Sequence, residues 1–253
     1  MSEMIDQKRR DFVSVAGKTA AATVIAPGVF LHSVANASPR AEAVTDKVRY
    51  GMLIDSSKCA DGCSDCVSAC DKENGLDQLI KPEGASDDLW AQQKPRWIRA
   101  VKVKDNLTGH VSSLPMMCQH CEKPPCVDVC PTGASFRRDD GIVMVDRHTC
   151  IGCRYCMMAC PYKARSFIHE TVQFKQTATP RGKGCVESCN FCVHRLDNGG
   201  TTTACQDACK QGAIIFGDLK DPKSALVKAL SKYPSVQLRA DLKLNTGVRY
   251  SGI

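Results

Sequence analysis

The chain has 253 residues, 43% hydrophobic but only 6% aromatic, and 17 of them are cysteine. That length allows one large domain or two small ones, and a core so poor in rings and rich in sulfur points to organisation around something other than side-chain packing alone. The formal charge of +7 is mild and the acidic and basic residues are interspersed, which argues against a nucleic-acid-binding stripe and for an ordinary solvated surface.

The chain opens with QKRRDFVSV, carrying Lys8, Arg9, Arg10 and Phe12, followed by a weakly apolar run from Thr19 to Val34 that ends in Ala35–Ala37. A charged start, an apolar middle and an A-x-A end are the marks of an export signal. Paired arginines before Asp11-Phe12-Val13 are similar to a twin-arginine signal. Residues 1–37 are expected to be this signal, with a mature chain starting near Ser38 on the periplasmic side. Signals of that type direct proteins that fold, often with cofactors in place, before they cross. The cysteines are therefore expected to hold metal rather than to form a disulfide scaffold. Beyond the signal no segment offers the about 20 mostly apolar residues of a spanning helix. Attachment to a membrane would come through a partner.

The mature part is punctuated by four cysteine groups. YGMLID, residues 50–55, reads as a strand before CADGCSDCVSAC with Cys59, Cys63, Cys66 and Cys70. An insertion, 71–109, contains Trp90 and Trp97. A second extended run, HVSSLP, precedes CQHCEKPPCVDVCP with Cys118, Cys121, Cys126 and Cys130. SFRRDDGIVMV reads as a hairpin turning at Asp140-Gly141 and leads to CIGCRYCMMACP with Cys150, Cys153, Cys156 and Cys160. The fourth group is spread over Cys185, Cys189, Cys192, Cys205 and Cys209, then a strand at Ala213–Asp218 and an amphipathic helix within Asp221–Tyr233. An x3 spacing puts the last two thiols of a group on one helix face. Strand, loop and helix repeated in this way predict an α+β fold of two ferredoxin-like βαββαβ modules. One module is drawn from 49–70 plus 185–218 and the other from 110–170, with the insertion 71–109 and a helical C-terminal extension, 219–253.

Thiolates are soft anionic ligands suited to iron–sulfur clusters, zinc and copper(I), and spacing separates these. The third group reads C-x2-C-x2-C-x3-C-P, in which the first three thiolates hold one cluster and the fourth, already on a helix, reaches a neighbouring one. The second group has the same form with a loop stiffened by Pro124-Pro125. Crossing these groups gives one cluster on Cys118, Cys121, Cys126 and Cys160 and another on Cys150, Cys153, Cys156 and Cys130. Groups one and four pair likewise, as Cys59, Cys63, Cys66 and Cys209, and as Cys189, Cys192, Cys205 and Cys70. Sixteen cysteines thus serve four [4Fe–4S] clusters, which also assigns all bound iron to them. Cys185 is left over, though Cys185-x3-Cys189-x2-Cys192 imitates the first group and allows it to replace Cys189. Structural zinc, with two C-x2-C pairs per ion, fits four such tight runs poorly. Cysteines this close seldom bridge each other as disulfides.

His120, His148, His169 and His194 are expected to be surface or hydrogen-bonding residues, since the thiolates suffice as ligands. Lys163, Arg165 and Arg195 are read either as charges that raise cluster potentials or as part of a solvated face. Met157 and Met158 are expected to pack beside a cluster. No nucleophile–base pair, phosphate-cradling loop or open metal site stands out, so the chain is expected to carry electrons rather than to catalyse.

The stretches CQHCEKPPCVDVCPTGASFRRDDGIVMVDRHTCIGCRYCMMACPYKARSF and ESCNFCVHRL…ACQDACKQGAIIFGDLKDP resemble the four-cluster subunits of the formate dehydrogenase, dimethyl sulfoxide reductase and polysulfide reductase families. Lys210 stands where those families often have proline. With its own twin-arginine signal and the form ADGCSDCVSAC, the chain looks most like the DsrO family of periplasmic subunits, from the membrane complex associated with dissimilatory sulfite reduction. That resemblance implies a polytopic quinone-interacting membrane subunit, a multihaem cytochrome c and further redox subunits as partners. It implies electron exchange with the menaquinone pool, linked to sulfur metabolism. An iron–sulfur subunit of a molybdopterin oxidoreductase and a free polyferredoxin carrier remain as alternatives.

Overall fold

The apolar run YGMLID forms strand β1, Tyr50–Asp55, in a computed structural model that describes residues 44–104, 106–107, 109, 111–170, 172 and 181–253. The expected signal at 1–37 lies outside the described residues. After β1 come α1 (Asp65–Glu73), α2 (Asp87–Gln93), β2 (Arg99–Lys104), β3 (Val111–Met116), α3 (Pro125–Asp128), β4 (Ser135–Arg137) and β5 (Val143–Val145). The remaining elements are α4 (Tyr155–Ala159), β6 (Ser166–Phe167), β7 (Val186–Glu187), α5 (Val193–Asp197), α6 (Ala204–Asp207), β8 (Ile214–Asp218), α7 (Ala225–Lys232) and β9 (Val248–Ser251). Short helices and small sheets make the fold α+β.

Strand β1 lies between β8, antiparallel with Ile54 opposite Ile214, and β9, parallel with Met52 opposite Val248. A strand covered on both faces needs no apolar–polar alternation, which explains the continuous run Met52-Leu53-Ile54, all but sealed from solvent. Leu53 packs on one side with Leu226 and Ala229 of α7, while Met52 and Ile54 enter the main core on the other. Helix α7 falls within the expected stretch, and the Ser224 hydroxyl caps it by accepting from the Val227 N–H at 3.1 Å. Gly51 permits the close approach of the strands, because a Cβ there would stand 2.7 Å from the Gly247 carbonyl oxygen.

Two features differ from the sequence expectation, and a third, in the insertion, is one the sequence left open. The C-terminal extension is not only helical, since its last residues add β9 to the sheet. Val248 and Tyr250 are buried there, and the Tyr250 hydroxyl donates to the Pro115 carbonyl at 3.0 Å and accepts from Gln119 Nε2 at 3.1 Å. The extended run before the second cysteine group is a strand, but it pairs with β2 of the insertion, Arg99 opposite Met116. The insertion is also no mere surface loop: Leu76, Trp97 and Ile98 are core residues. The guanidinium groups of Arg147 and Arg181 lie over the Trp97 ring, and both reach the buried Glu187 carboxylate.

The predicted hairpin turning at Asp140-Gly141 forms as β4–β5, with Phe136 opposite Met144. Strands β6 and β7 pair antiparallel, joining the chain after the third cysteine group to the chain before Cys189. Arg195 is taken up elsewhere, in a fastening of three helices. Its guanidinium grips Glu73 of α1 through two 2.6 Å bonds and Asp207 of α6 at 2.7 Å. The Arg195 bond, partly offset by burial and aided by His194, holds the Glu73 carboxyl down to about 2. A partly exposed pair like this adds about 1 kcal/mol or less, so its role is to orient α1 against α5 and α6.

Candidate functional site

Each cysteine group follows one local plan. A loop presents the first thiols, a short helix the next, and the last thiol lies about one turn further on. Cys66 and Cys70 are on α1, Cys126 on α3, Cys156 on α4 and Cys205 on α6. Pro125 starts α3 at the first helical position, where a missing N–H costs nothing. Pro161 directly follows Cys160, which ends α4 in an extended conformation. Several loop residues take up left-handed backbone, among them His120, Arg154, Phe191 and Cys192. Such conformations are costly for bulky residues, and they crowd where the thiols must be aimed inward.

Two cavities each bring three thiols of one group together with a fourth from another. One cavity is lined by Cys59, Cys63, Cys66 and the distant Cys209. A second is lined by Cys150, Cys153, Cys156 and Cys130. Burial, then neighbouring thiols led by Cys205 and Cys59, pushes the Cys66 thiol up to about 12. Cys121 is likewise pushed up to about 12, by burial and then by Cys126 and Cys160. Cys189 is raised by burial and then by Cys70, Cys205 and Cys192. None of the 17 cysteines is joined in a disulfide.

These quartets suit a many-atom metal core. Among the described residues no three His, Cys, Asp or Glu side chains converge as a single ion requires. Donors aimed at sulfur are also in place, and such bonds stabilise the thiolate form. The Ser135 N–H reaches Cys130 Sγ at 3.3 Å and the Ala213 N–H reaches Cys209 Sγ at 3.2 Å. Asn74 Nδ2 lies 3.6 Å from Cys70 Sγ. At Cys130 burial acts to raise the thiol, but hydrogen bonds led by that from Ser135 outweigh it and lower it.

Burial divides the quartets. Cys118, Cys121, Cys126 and Cys160 are all buried, as are Cys70, Cys189, Cys192 and Cys205. The other two expected quartets each have an exposed thiol, Cys63 in one and Cys153 in the other. Next to these buried sets the His120 and Phe191 rings stack with centroids 3.6 Å apart, His120 from the Cys118–Cys121 loop and Phe191 from the Cys189–Cys192 loop. Burial, then the charge of Arg165, lowers His120 to about 3, so its ring is neutral, and Nδ1 accepts from the Val143 N–H at 3.1 Å. His120 is thus a buried hydrogen-bonding residue, His148 is exposed, His169 stands edge-on to Phe167 and His194 pairs with Glu73.

Other expectations resolve unequally. Cys185, allowed by spacing to replace Cys189, sits instead beside Cys150, and its thiol donates to the Arg147 carbonyl at 3.2 Å. Met157 packs on the core, whereas Met158 is 65% exposed and does not. Lys163 is on the solvated face. Arg165 is buried and donates to Cys126 Sγ at 3.1 Å, a contact that sequence reasoning left undecided. Burial acts to lower Arg165, but the thiols of Cys126, Cys118 and Cys156 outweigh it and raise the guanidinium. The sequence signal was there in Arg165 closely following Cys160-Pro161, but spacing alone does not name the sulfur it meets.

Comparison with known proteins gives matches to models described as 4Fe-4S dicluster domain over residues 110–219 and again over 58–134. The Hdr-like menaquinol oxidoreductase iron-sulfur subunit 1 of Archaeoglobus fulgidus is 38% identical, over 96% of this chain and 97% of its own. The B component of tetrathionate reductase from Salmonella typhimurium is 38% identical over 90% of this chain and 81% of its own. The iron-sulfur cluster-binding subunit of menaquinone reductase from Nitratidesulfovibrio vulgaris is 37% identical over 70% and 78%.

Gly152 tests the geometry of the cavity shared by Cys150, Cys153, Cys156 and Cys130. It has φ +72°, and a Cβ there would lie 2.2 Å from the Gly184 carbonyl oxygen, with no flexible side chain to yield. Gly152→Ala is expected to force the Cys150 loop off its neighbour and to lose about four iron atoms per chain. Anaerobic iron analysis and EPR check this, with the other signals retained.

Proposed function

The chain belongs to the family of 4Fe-4S dicluster iron–sulfur subunits and carries four [4Fe–4S] clusters, and from that premise we propose that it is the electron-relay subunit of a membrane-attached redox complex served by menaquinone. The observation that carries this reading is the burial pattern: two thiol quartets are sealed, and the other two reach solvent at Cys63 and Cys153. A storage protein needs no such pair of outlets; a relay needs one for entry and one for exit.

The proposed ligand sets are Cys59, Cys63, Cys66 and Cys209; Cys70, Cys189, Cys192 and Cys205; Cys118, Cys121, Cys126 and Cys160; and Cys130, Cys150, Cys153 and Cys156. When bound, the clusters supply one-electron carriers whose potentials follow charge, hydrogen bonding and exposure. The chain's own residues fix the rest. Ser135, Ala213 and Asn74 donate to ligand sulfurs. Apolar core residues such as Trp97, Ile142 and Phe191 keep water out of the middle. No residue is assigned bond-making chemistry, and the subunit is read as non-catalytic.

The two outlets differ in character, which supports two kinds of partner. Around Cys153 stand the exposed Ile151, Tyr155 and Met158, with Arg154 as the one charge among them. Around Cys63 stand Lys58, Asp65 and Lys210. The apolar outlet suits a polytopic quinone-interacting membrane subunit and the charged one a water-exposed redox subunit such as a multihaem cytochrome c. None of the described helices is long and apolar enough to cross a membrane; in this reading attachment is peripheral, through that partner. With export by the twin-arginine route the subunit would work at the periplasmic face. Nearly end-to-end similarity to the menaquinol oxidoreductase subunit of Archaeoglobus supports the quinone link. The DsrO-like role in dissimilatory sulfur metabolism is the finer form of this proposal. Similarity to the B component of tetrathionate reductase supports a second reading, in which the partner is a large molybdopterin subunit.

Two outcomes are expected. Protein captured anaerobically from solubilised membranes should bring a polytopic subunit and c-type haem. Capture of a large molybdenum protein would favour the second reading, and a soluble monomer without partners would contradict both. In Cys160→Ser, EPR should show the cluster of Cys118, Cys121 and Cys126 perturbed. Loss confined to the cluster of Cys150, Cys153 and Cys156 would contradict the crossed sets.

A further inference from the structure

Arg165 is 5% exposed, and its position is unlike that of the buried Arg181 and the half-buried Arg147 and Arg138. Arg181 meets Glu187 at 2.8 Å, Arg147 reaches the same carboxylate at 3.6 Å, and Arg138 meets Asp140 and Asp197 at 2.8 Å each. Among the described residues no carboxylate pairs with Arg165. Its Nη2 donates to Cys126 Sγ at 3.1 Å and to Ser135 Oγ at 2.7 Å, and its Nη1 is buried with no partner. It also lines the cavity of Cys130, Cys150, Cys153 and Cys156. Ser135, which holds the guanidinium, donates its own N–H to Cys130 Sγ.

A guanidinium taken out of water without a counter-charge is strongly destabilising. The protein around Arg165 offers only thiols, and they belong to two different quartets: Cys126 to one, Cys130 and Cys156 to the next. The compensating charge must therefore come from thiolates with iron bound on both sides. Resting on the ligand sets proposed above, we propose that Arg165 is a positioning cation shared by the clusters of Cys118, Cys121, Cys126 and Cys160 and of Cys130, Cys150, Cys153 and Cys156, raising both reduction potentials together. A cation stabilises the more negative, reduced form of whatever lies beside it. One placed between two anionic centres also weakens their mutual repulsion. Neither of its nearby basic neighbours takes this shared place: Lys163 is in solvent, and Arg154, which also lines the cavity of Cys130, Cys150, Cys153 and Cys156, is itself exposed and lies over the Phe167 ring at 3.9 Å.

The experiment is an anaerobic EPR redox titration of the iron-loaded protein and of its Arg165→Gln and Arg165→Lys variants. Signals are assigned with Cys160→Ser and Cys130→Ser. Arg165→Gln, which keeps donors but drops the charge, is expected to lower both potentials of this pair and to leave the other two in place. Arg165→Lys is expected to stay near the parent values. A shift in one cluster only, in none, or equally in all four overturns the proposal, as does a lysine variant indistinguishable from the glutamine one. Should Arg165→Gln lose iron, loss of both clusters of the pair, with Arg165→Lys intact, supports the shared role. Loss of one cluster, or of all four, overturns it. An error in the ligand sets shows separately, in Cys160→Ser, where Arg165 is untouched.

Discussion

Thiols crowded into a low-dielectric interior cannot all ionise unless a cation joins them. That constraint governs this molecule. Burial and mutual repulsion push Cys66, Cys121 and Cys192 up to about 12, and Cys70 and Cys189 are raised well above their ordinary value by the same causes. Iron turns this liability into stability, because thiolate–metal bonds made only in the folded chain count as folding free energy. The low aromatic content then makes sense. The main core is a mixture of aliphatic residues and cysteines with five buried rings, Trp97 from the insertion, Tyr162, Phe191, Phe216 and Tyr250 from the last strand.

The same constraint orders the molecule along its length. The buried thiols are shielded by apolar residues and by the His120–Phe191 stack, while Cys63 and Cys153 stay at the surface. Positive charge is placed selectively. Arg138, Arg147, Arg181 and Arg195 are occupied by carboxylates and fasten loops and helices. Arg165 alone among these five side chains turns to sulfur. Structure-holding arginines and a potential-setting one are thus told apart by what they touch.

Much of this was legible in the sequence because it is local. Strand β1, the β4–β5 hairpin and helix α7 follow from runs and spacings within about a dozen residues. The expectation that a helix carries the last thiol of each group holds only at Cys70, since Cys130, Cys160 and Cys209 lie just past the ends of α3, α4 and α6. What escaped was set by distant pairing. Strand β9 joins β1 across nearly 200 residues (Met52 to Val248), so its four residues alone gave no reason to expect it. The run before the second cysteine group was seen as a strand, but not that β2 would claim it. Cys185 follows a spacing that points to Cys189, yet the β6–β7 pairing and the Gly152–Gly184 contact carry it to Cys150 instead. The Arg165–Cys126 bond spans 39 residues and two helices, beyond the reach of any motif.

The central claim is that sixteen of the 17 thiols exist to hold iron in four cubes. Metal and acid-labile sulfide analysis of protein isolated without oxygen tests it most directly. The account predicts about sixteen iron atoms per chain with a matching amount of sulfide. A content nearer four or eight, or zinc in place of iron, would contradict it.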